Sequence, residues 1–328
     1  MQQTRKHELP VLAIDLGGTK MIAAIVSNQG QVMAKEHYLT LAGEGPQSVI
    51  DRILSAIDHL LGARKVDLSQ LDCISIAAAG AIDLDKGLVT LSPNLPGWHN
   101  IPLRDMVNRK YKITTFLIND ASAATLGEYH FGAGRGVNNL ILLTMGTGIG
   151  GGIIIDGRLY TGPSGSAGEI GHMTIDVNGP RCSCGNIGCL EMLASGTAVA
   201  REAISRISQG EKSSLTQMVE GKLENITAEK VGMAAQGGDS LASEVIAKAA
   251  TYLGIGMVNL VNIFNPEMII VGGGVAQMGD LLLGPARQVV KERAFQLPAQ
   301  AVRIVPAQLG DNAGVLGAAV FAHQQKQS

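Results

Sequence analysis

Three of the chain's four cysteines, Cys182, Cys184 and Cys189, stand within eight residues of one another, and His172 lies ten positions upstream of the first. Three thiolates and an imidazole are the ligand set of a closed structural Zn²⁺ site. Cys182 and Cys184 are awkwardly spaced for a mutual disulfide, and a bridge from Cys189 to either would leave one thiol over. Gly185 and Gly188 permit the tight wrapping that ligands so close in sequence require. Four protein ligands leave no open position, so the metal is expected to shape a loop and fix the direction of Glu169, His172 and Glu191, not to activate water. Glu169 and Glu191 flank the cluster without an obvious structural duty. A carboxylate that accepts a hydrogen bond contributes about 1.5–3 kcal/mol, so the pair reads either as a polyol site or as solvated surface. Cys73, alone in an apolar run, reads as core.

Asp15 ends an apolar run and is followed by Gly17-Gly18-Thr19-Lys20. A glycine turn lets main-chain N–H groups approach a phosphate. The Asp15 carboxylate is placed to hold a hydrated Mg²⁺, Thr19 offers a hydroxyl, and Lys20 points either to phosphate or to solvent. A related turn, Gly146-Thr147-Gly148, lies in LILLTMGTGIGGGIII, and a third cluster, Gly272-Gly273-Gly274, follows MIIV. That third cluster serves either a nucleoside or strand-to-helix packing. The second turn satisfies GxGxxG, yet Ile153-Ile154-Ile155 continue as a strand where a dinucleotide fingerprint requires a helix. No Walker A sequence is present. In FLINDASAATLGEYH a strand meets Asn119-Asp120 at the start of a helix. Asp120 is therefore either a helix cap or a general base for a hydroxyl attacking a γ-phosphate, with Asn119 holding a neighbouring hydroxyl.

These residues need strands that end together. Val11–Asp15 and Met21–Val26 read as two strands around a glycine turn, and Leu140–Ile155 repeats the device about 130 residues later, which implies two halves of similar architecture facing each other. Further strands are expected at 73–77, 115–118 and 268–271. Helical spacing is seen over 48–61 and over 241–264, the latter ended by Asn265-Pro266. Mixed sheets covered by helices follow. The segment 205–240 reads as exposed helices without chemistry, and its Asn225-Ile226-Thr227 sequon as idle.

The 328 residues suffice for two domains, with 46% apolar and only 16% charged residues against the roughly 25% of an average soluble protein. The 42 glycines cluster beside apolar runs, which indicates tight turns. A net charge of −2 without like-charge runs argues against nucleic-acid or anionic-lipid partners. The absence of a signal-like h-region and of about 18 consecutive apolar residues points to a cytoplasmic protein with reduced cysteines and no membrane span.

Taken together, the residues resemble the ROK sugar kinases and repressors, and among them the bacterial glucokinases. The matching pieces are Asp15-x-Gly17-Gly18-Thr19-Lys20, Ser92-Pro93-Asn94-Leu95-Pro96-Gly97-Trp98, Asn119-Asp120-Ala121, Gly146 to Gly151, Glu169-Ile170-Gly171-His172, Cys182-x-Cys184-Gly185-x2-Gly188-Cys189-x-Glu191 and Gly272-Gly273-Gly274. The resemblance implies an α/β, actin-like (ribonuclease H-like) ATPase fold of two domains closing on a hexose and ATP-Mg²⁺. The first domain would hold residues 1–120 and the helix 313–328; the second, 121–312, would carry the zinc loop. Asp120 would be the catalytic base toward the sugar 6-hydroxyl. Gly80, Asn94, Asn119, Asp120, Glu169, His172 and Glu191 would contact the sugar, with His172 also a zinc ligand beside Cys182, Cys184 and Cys189. Asp15, Gly17, Gly18, Thr19, Lys20, Thr144, Gly146, Thr147, Gly148, Gly272, Gly273 and Gly274 would contact the nucleotide and its Mg²⁺. Bacterial members that prefer N-acetylmannosamine can carry His where this chain has Glu169, and with SPNLPGW this favours glucose; fructose, mannose or an N-acetyl sugar is the alternative. A homodimer or homotetramer is implied. Repressors of the family carry a helix-turn-helix ahead of the first hairpin, and the ten residues before Val11 are expected to leave no room for one.

Overall fold

A computed structural model describes residues 9–327 of the chain. Two compact units are formed: the first comprises the chain up to Gly136, Leu159–Ala167 and the chain from Leu309 onward, the second Val137–Arg158 and Gly168–Gln308.

The first unit is built on a five-stranded sheet in the order Val32–Leu39, Lys20–Val26, Val11–Leu16, Cys73–Ala78, Thr115–Asn119. Its first two pairings are antiparallel and its last two parallel, so Val11–Leu16 is central and flanked on both sides. That strand is buried throughout except at Asp15, which is only partly covered. An apolar run buried on both faces is what a central strand requires, and the acid sits where the strand meets the turn. The helix Pro46–Arg64 starts with proline in its first turn, buries Val49, Ile50, Ile53, Ala56, Ile57 and Leu60 along one face, and stops at Lys65 in the left-handed region.

The second unit repeats the plan. Leu140–Met145 pairs antiparallel with Ile149–Ile155 and parallel with Met268–Gly272, which pairs parallel with Arg303–Pro306; Arg158–Leu159 forms the other edge. The helix Ser240–Phe264 is capped by the Asp239 side chain, which accepts from the Ala242 N–H, and ends at Asn265 with φ +45°. It is long and apolar enough to cross a bilayer by length and composition, yet it is mostly buried and forms the spine of this unit's core. The expectation for 205–240 needs correction. Leu215, Val219, Ile226 and Val231 are buried in that same core, because the short helices Leu215–Met218 and Ala228–Gln236 each turn one apolar face inward while their polar residues dominate the composition.

The helix Asp120–Phe131 packs against the C-terminal helix Ala313–Gln327, which keeps it in the first unit; the unit boundary therefore falls after Gly136 and not at 120. Both helices approach through glycine. A Cβ on Gly317 would collide with the Ala123 carbonyl, and one on Gly127 with the Ala313 carbonyl. Gly317→Ala is expected to destabilise the protein by about 1–3 kcal/mol, the usual range for overpacking. By contrast Gly62→Ala, in a helix with nothing within 4 Å of the new methyl, should stabilise it by up to about 1 kcal/mol. Urea denaturation of the two variants beside the parent checks both signs.

Candidate active site

In the first unit the Gly17 N–H donates to the Lys20 carbonyl at 3.0 Å and closes the turn. Thr40, buried, donates its Oγ1 to the Gly17 carbonyl at 2.7 Å and its N–H to the Thr19 carbonyl at 2.9 Å. The turn's carbonyls are thus tied back, while among the described residues the N–H groups of Gly18 and Thr19 enter none of the turn's main-chain bonds. Asn94 lies over this turn, since a Cβ on Gly18 would come within 2.7 Å of the Asn94 carbonyl. Leu95 and Trp98 hold that loop by burying their side chains and leave Asn94 exposed between them and the turn.

Asp15 borders the turn. Burial pushes its carboxyl up to about 7, the Asp120 and Asp311 charges push in the same direction, and the Lys20 ammonium opposes them. Gly314 presses the first turn of the C-terminal helix onto it, close enough that a Cβ there would collide with the carboxylate. Lys20 is engaged with Asp311 at 2.6 Å, which settles where its side chain points in this structure. Asp311 and Gly314 lie roughly 300 residues from Asp15, and nothing in their local sequence marks them as its neighbours.

The choice between cap and base at Asp120 is simplified by its neighbour. Asn119 is the N-cap, its Oδ1 accepting from the Ser122 N–H at 2.9 Å. Asn119 Nδ2 donates to the Gly80 carbonyl and to Asp120 Oδ1, each at 3.0 Å. Asp120 Oδ1 also accepts from the Ala121 N–H at 2.9 Å. Gly80, Asn119, Asp120 and Asp15 therefore form one cluster in the first unit, with Oδ1 of Asp120 held by Asn119 and by the Ala121 main chain.

A second cluster belongs to the second unit. Cys182 Sγ lies 3.6 Å from His172 Nδ1, Cys184 Sγ lies 3.8 Å from Cys189 Sγ, and all four donor atoms fall within 4.8 Å of one another. A tetrahedron with Zn–S of about 2.3 Å and Zn–N of about 2.0–2.1 Å has S–S edges of about 3.8 Å and N–S edges of about 3.6 Å, so the donor set fits that ion. The sulfurs are too far apart for a disulfide of about 2.05 Å. Burial and the neighbouring thiols push Cys189 up to about 12, while a main-chain bond from Asn186 lowers Cys184. The loop closes because the Ile175 N–H donates to the Gly188 carbonyl at 2.8 Å, and Gly188 is required where its φ is +66° and a Cβ would collide with the Asp176 carbonyl. Cys73, in contrast, is a core residue with its thiol raised to about 12 by burial.

With Nδ1 of His172 facing the sulfurs, Nε2 lies 3.9 Å from Glu169 Oε2. Burial raises the Glu169 carboxyl; the His172 side chain opposes the shift and the Glu191 charge adds to it, so Glu169, His172 and Glu191 share one neighbourhood. Glu191 has the structural duty that its sequence position hid: the Ile149 N–H donates to its Oε2 at 2.8 Å, and the same oxygen fills the space beside Gly148.

That contact reaches the second glycine turn. The Gly146 N–H donates to the Gly148 carbonyl at 2.9 Å, the Gly196 N–H to the Gly146 carbonyl at 2.8 Å, and Thr197 Oγ1 to the Thr147 carbonyl at 2.8 Å. Here too, among the described residues, the N–H groups of the two following residues, Thr147 and Gly148, enter none of the turn's main-chain bonds. Thr144 pairs with Gly150 and with Gly272, which brings the third cluster beside this turn; Gly273, at φ +87°, packs on the Met145 main chain, and Gly274 faces open space. Gly196 and Thr197 were not among the sequence candidates, because a helix N-terminus 50 residues away carries no local sign that it will tie back a turn.

The raised carboxyl of Asp15 has a sign that can be measured. A folded pKa of about 7 against an ordinary 3.8 means a contribution fully present below about pH 4 and lost as pH rises through 7. Asp15→Asn removes that loss. In the ligand-free protein its stability relative to the parent is expected to increase between pH 4.5 and 8, by no more than about 4 kcal/mol. Urea midpoints at the two pH values test this, and a pH-independent difference would contradict it.

Comparison with known proteins bears on the whole chain. The model of the ROK family matches residues 11–325. A glucokinase of Thermotoga maritima is 38% identical over 95% of this chain and 96% of its own length. A xylose repressor of Caldicellulosiruptor bescii is 36% identical over 96% of this chain and 78% of its own. Among solved structures, a ROK family glucokinase from Streptomyces griseus, in complex with glucose and AMPPNP, superposes with a TM-score of 0.86 at 34% identity, covering 96% of this chain and 99% of that one. The α/β fold is thus the actin-like ATPase fold of the ROK sugar kinases, and the chain belongs to the ROK family.

Proposed function

We propose that this protein transfers the γ-phosphoryl group of ATP to the 6-hydroxyl of a hexose, with glucose as the preferred acceptor, and works in the cytoplasm. The observation that carries the reading is the division of labour at the Asn119-Asp120 pair. Capping is performed by Asn119, so the Asp120 carboxylate, whose Oδ1 accepts from Asn119 Nδ2 and the Ala121 N–H, is not required as the cap and is assigned here as the proton acceptor. In the reaction the hexose O6 attacks the γ-phosphorus, the bond to the bridging oxygen of ADP breaks, and the hydroxyl proton passes to Asp120 late in a loose transition state. Similarity to a glucokinase that binds glucose and AMPPNP supports the same substrates here.

Gly80, Asn94, Asn119, Glu169, His172 and Glu191 are the sugar contacts in this reading. Glu191 would meet the sugar through Oε1, since Oε2 is committed to Ile149. The N–H groups of Gly18, Thr19, Thr147 and Gly148, which enter none of their turns' main-chain bonds among the described residues, are the phosphate donors, with Thr144 and Gly272 to Gly274 lining the nucleotide. Asp15 would hold a hydrated Mg²⁺, which neutralises charge on the β- and γ-phosphates; the raised carboxyl of Asp15 suits a group awaiting a cation. His172, Cys182, Cys184 and Cys189 would hold a structural Zn²⁺ whose four protein ligands leave no place for a reacting water. Similarity to a xylose repressor favours, as the second reading, a sugar-sensing regulator; it predicts hexose binding without turnover.

Asp120→Asn is expected to lower kcat by at least ~100-fold in a folded protein, and a variant with near-parental turnover removes Asp120 from the base role. ADP release measured across glucose, mannose, fructose and N-acetyl sugars should give the highest kcat/KM with glucose; no release with any of them favours the regulator. Elemental analysis should find about one zinc per chain, with stability lost on chelation. Metal-free protein of full stability would refute that site.

A further inference from the structure

Glu128 is 0% exposed, near the end of the helix Asp120–Phe131. A buried carboxylate persists only when its oxygens are satisfied. Its Oε2 accepts from the Ala133 N–H at 2.8 Å and its Oε1 from the Leu309 N–H at 2.7 Å, while its main-chain carbonyl accepts from Gly132 at 3.0 Å and Gly134 at 2.9 Å. Gly132 makes the nest possible, for a Cβ there would collide with the carboxylate. The chain leaves the first unit after Gly136, contributes Leu159–Ala167 to it, and re-enters it for the last time at Leu309. One side chain therefore grips both the outgoing and the returning segment. From Leu309 the chain runs through Asp311, paired with Lys20, and Asn312, which accepts from Lys35 Nζ at 2.8 Å, to Gly314 against Asp15.

We propose that Glu128 is a positioning residue: by clamping the Leu309 N–H it fixes the segment 309–314, and with it the main chain facing Asp15, relative to Asp120 at the other end of its own helix. This rests on the kinase reading for the roles of Asp15 and Asp120. The helix is a rigid ruler. Asp120 and Glu128 are eight residues apart on it, about 12 Å along the axis, so the clamp transfers the helix's rigidity to a segment that runs through the short 3-10 turn Gly310–Asn312 into the C-terminal helix. A neutral amide at 128 would turn an NH₂ group toward one of the two N–H donors and release that segment.

The test compares Glu128→Gln and Gly132→Ala, which forces the carboxylate out of its nest, with the parent. Both are expected to lower kcat by about tenfold and raise KM for ATP, while hexose affinity measured without nucleotide stays within about twofold. Amide exchange of residues 132–136 and 308–314 should accelerate by at least about tenfold, with 120–126 unchanged. Unchanged exchange in both segments overturns the clamp. Faster exchange with parental kcat and KM for ATP, or an equal loss of hexose affinity and ATP use, overturns the positioning role. Should the parent phosphorylate no hexose, the kinase reading fails by itself, and the exchange comparison still decides whether Glu128 holds the two segments.

Discussion

The hydrogen bond from the Ile149 N–H to Glu191 joins the three elements on which the second unit's site depends. Glu191 opens the helix that follows Cys189, Ile149 begins the strand that follows the glycine turn, and the carboxylate stands in the space beside Gly148. A hydrogen bond to a charged acceptor contributes about 1.5–3 kcal/mol, enough to select one arrangement of a turn whose own residues are nearly free of steric preference. The conformation of the turn is therefore set by the cysteine loop as much as by the hairpin that contains it. A metal that stiffened that loop would stiffen the turn through Glu191, and a sugar hydroxyl on the other carboxylate oxygen would be sensed at the same place.

A parallel logic operates in the first unit with different residues. Thr40 draws the carbonyls of Gly17 and Thr19 away from the face of the turn, and Asn119 both caps its helix and steadies Asp120. In each unit a side chain tied to main chain fixes the groups proposed above to react or bind. Preorganisation of this kind places donors where charge will develop and avoids the reorganisation that solvent would require.

How much of this was legible in the sequence depended on the distance over which each constraint acts. Strands 11–16 and 20–26, and their repeat at 140–145 and 149–155, were readable because apolar runs bounded by glycine are local signals. The cysteine cluster was readable because thiols so close in sequence need only local turns to converge, and Gly185 and Gly188 supply them. The helices within 205–240 were misjudged because a few buried residues such as Leu215 and Val231 are diluted by polar neighbours, and only tertiary packing reveals which face counts. Glu191 was seen as a ligand candidate but not as a brace, since its partner N–H lies 42 residues away. Glu128 sits in LGEYH, a context that suits an exposed helical glutamate equally well, and its burial follows from Leu309, 181 residues onward.

The acids around Asp15 show why such long-range contacts matter for chemistry. Burial and the charges of Asp120 and Asp311 raise the Asp15 carboxyl, and Lys20, the cation that opposes them, is paired with Asp311. Relaxation of the chain would ordinarily separate like charges. It is prevented here because Asp120 is the first residue of a helix interlocked with the C-terminal helix through Gly127 and Gly317, and because Gly314 of that second helix presses on Asp15. Packing thus holds the carboxylates at a spacing that electrostatics alone would not choose. A positive charge placed beside Asp15 would relieve the repulsion so retained, and the close fit of the two helices is what retains it.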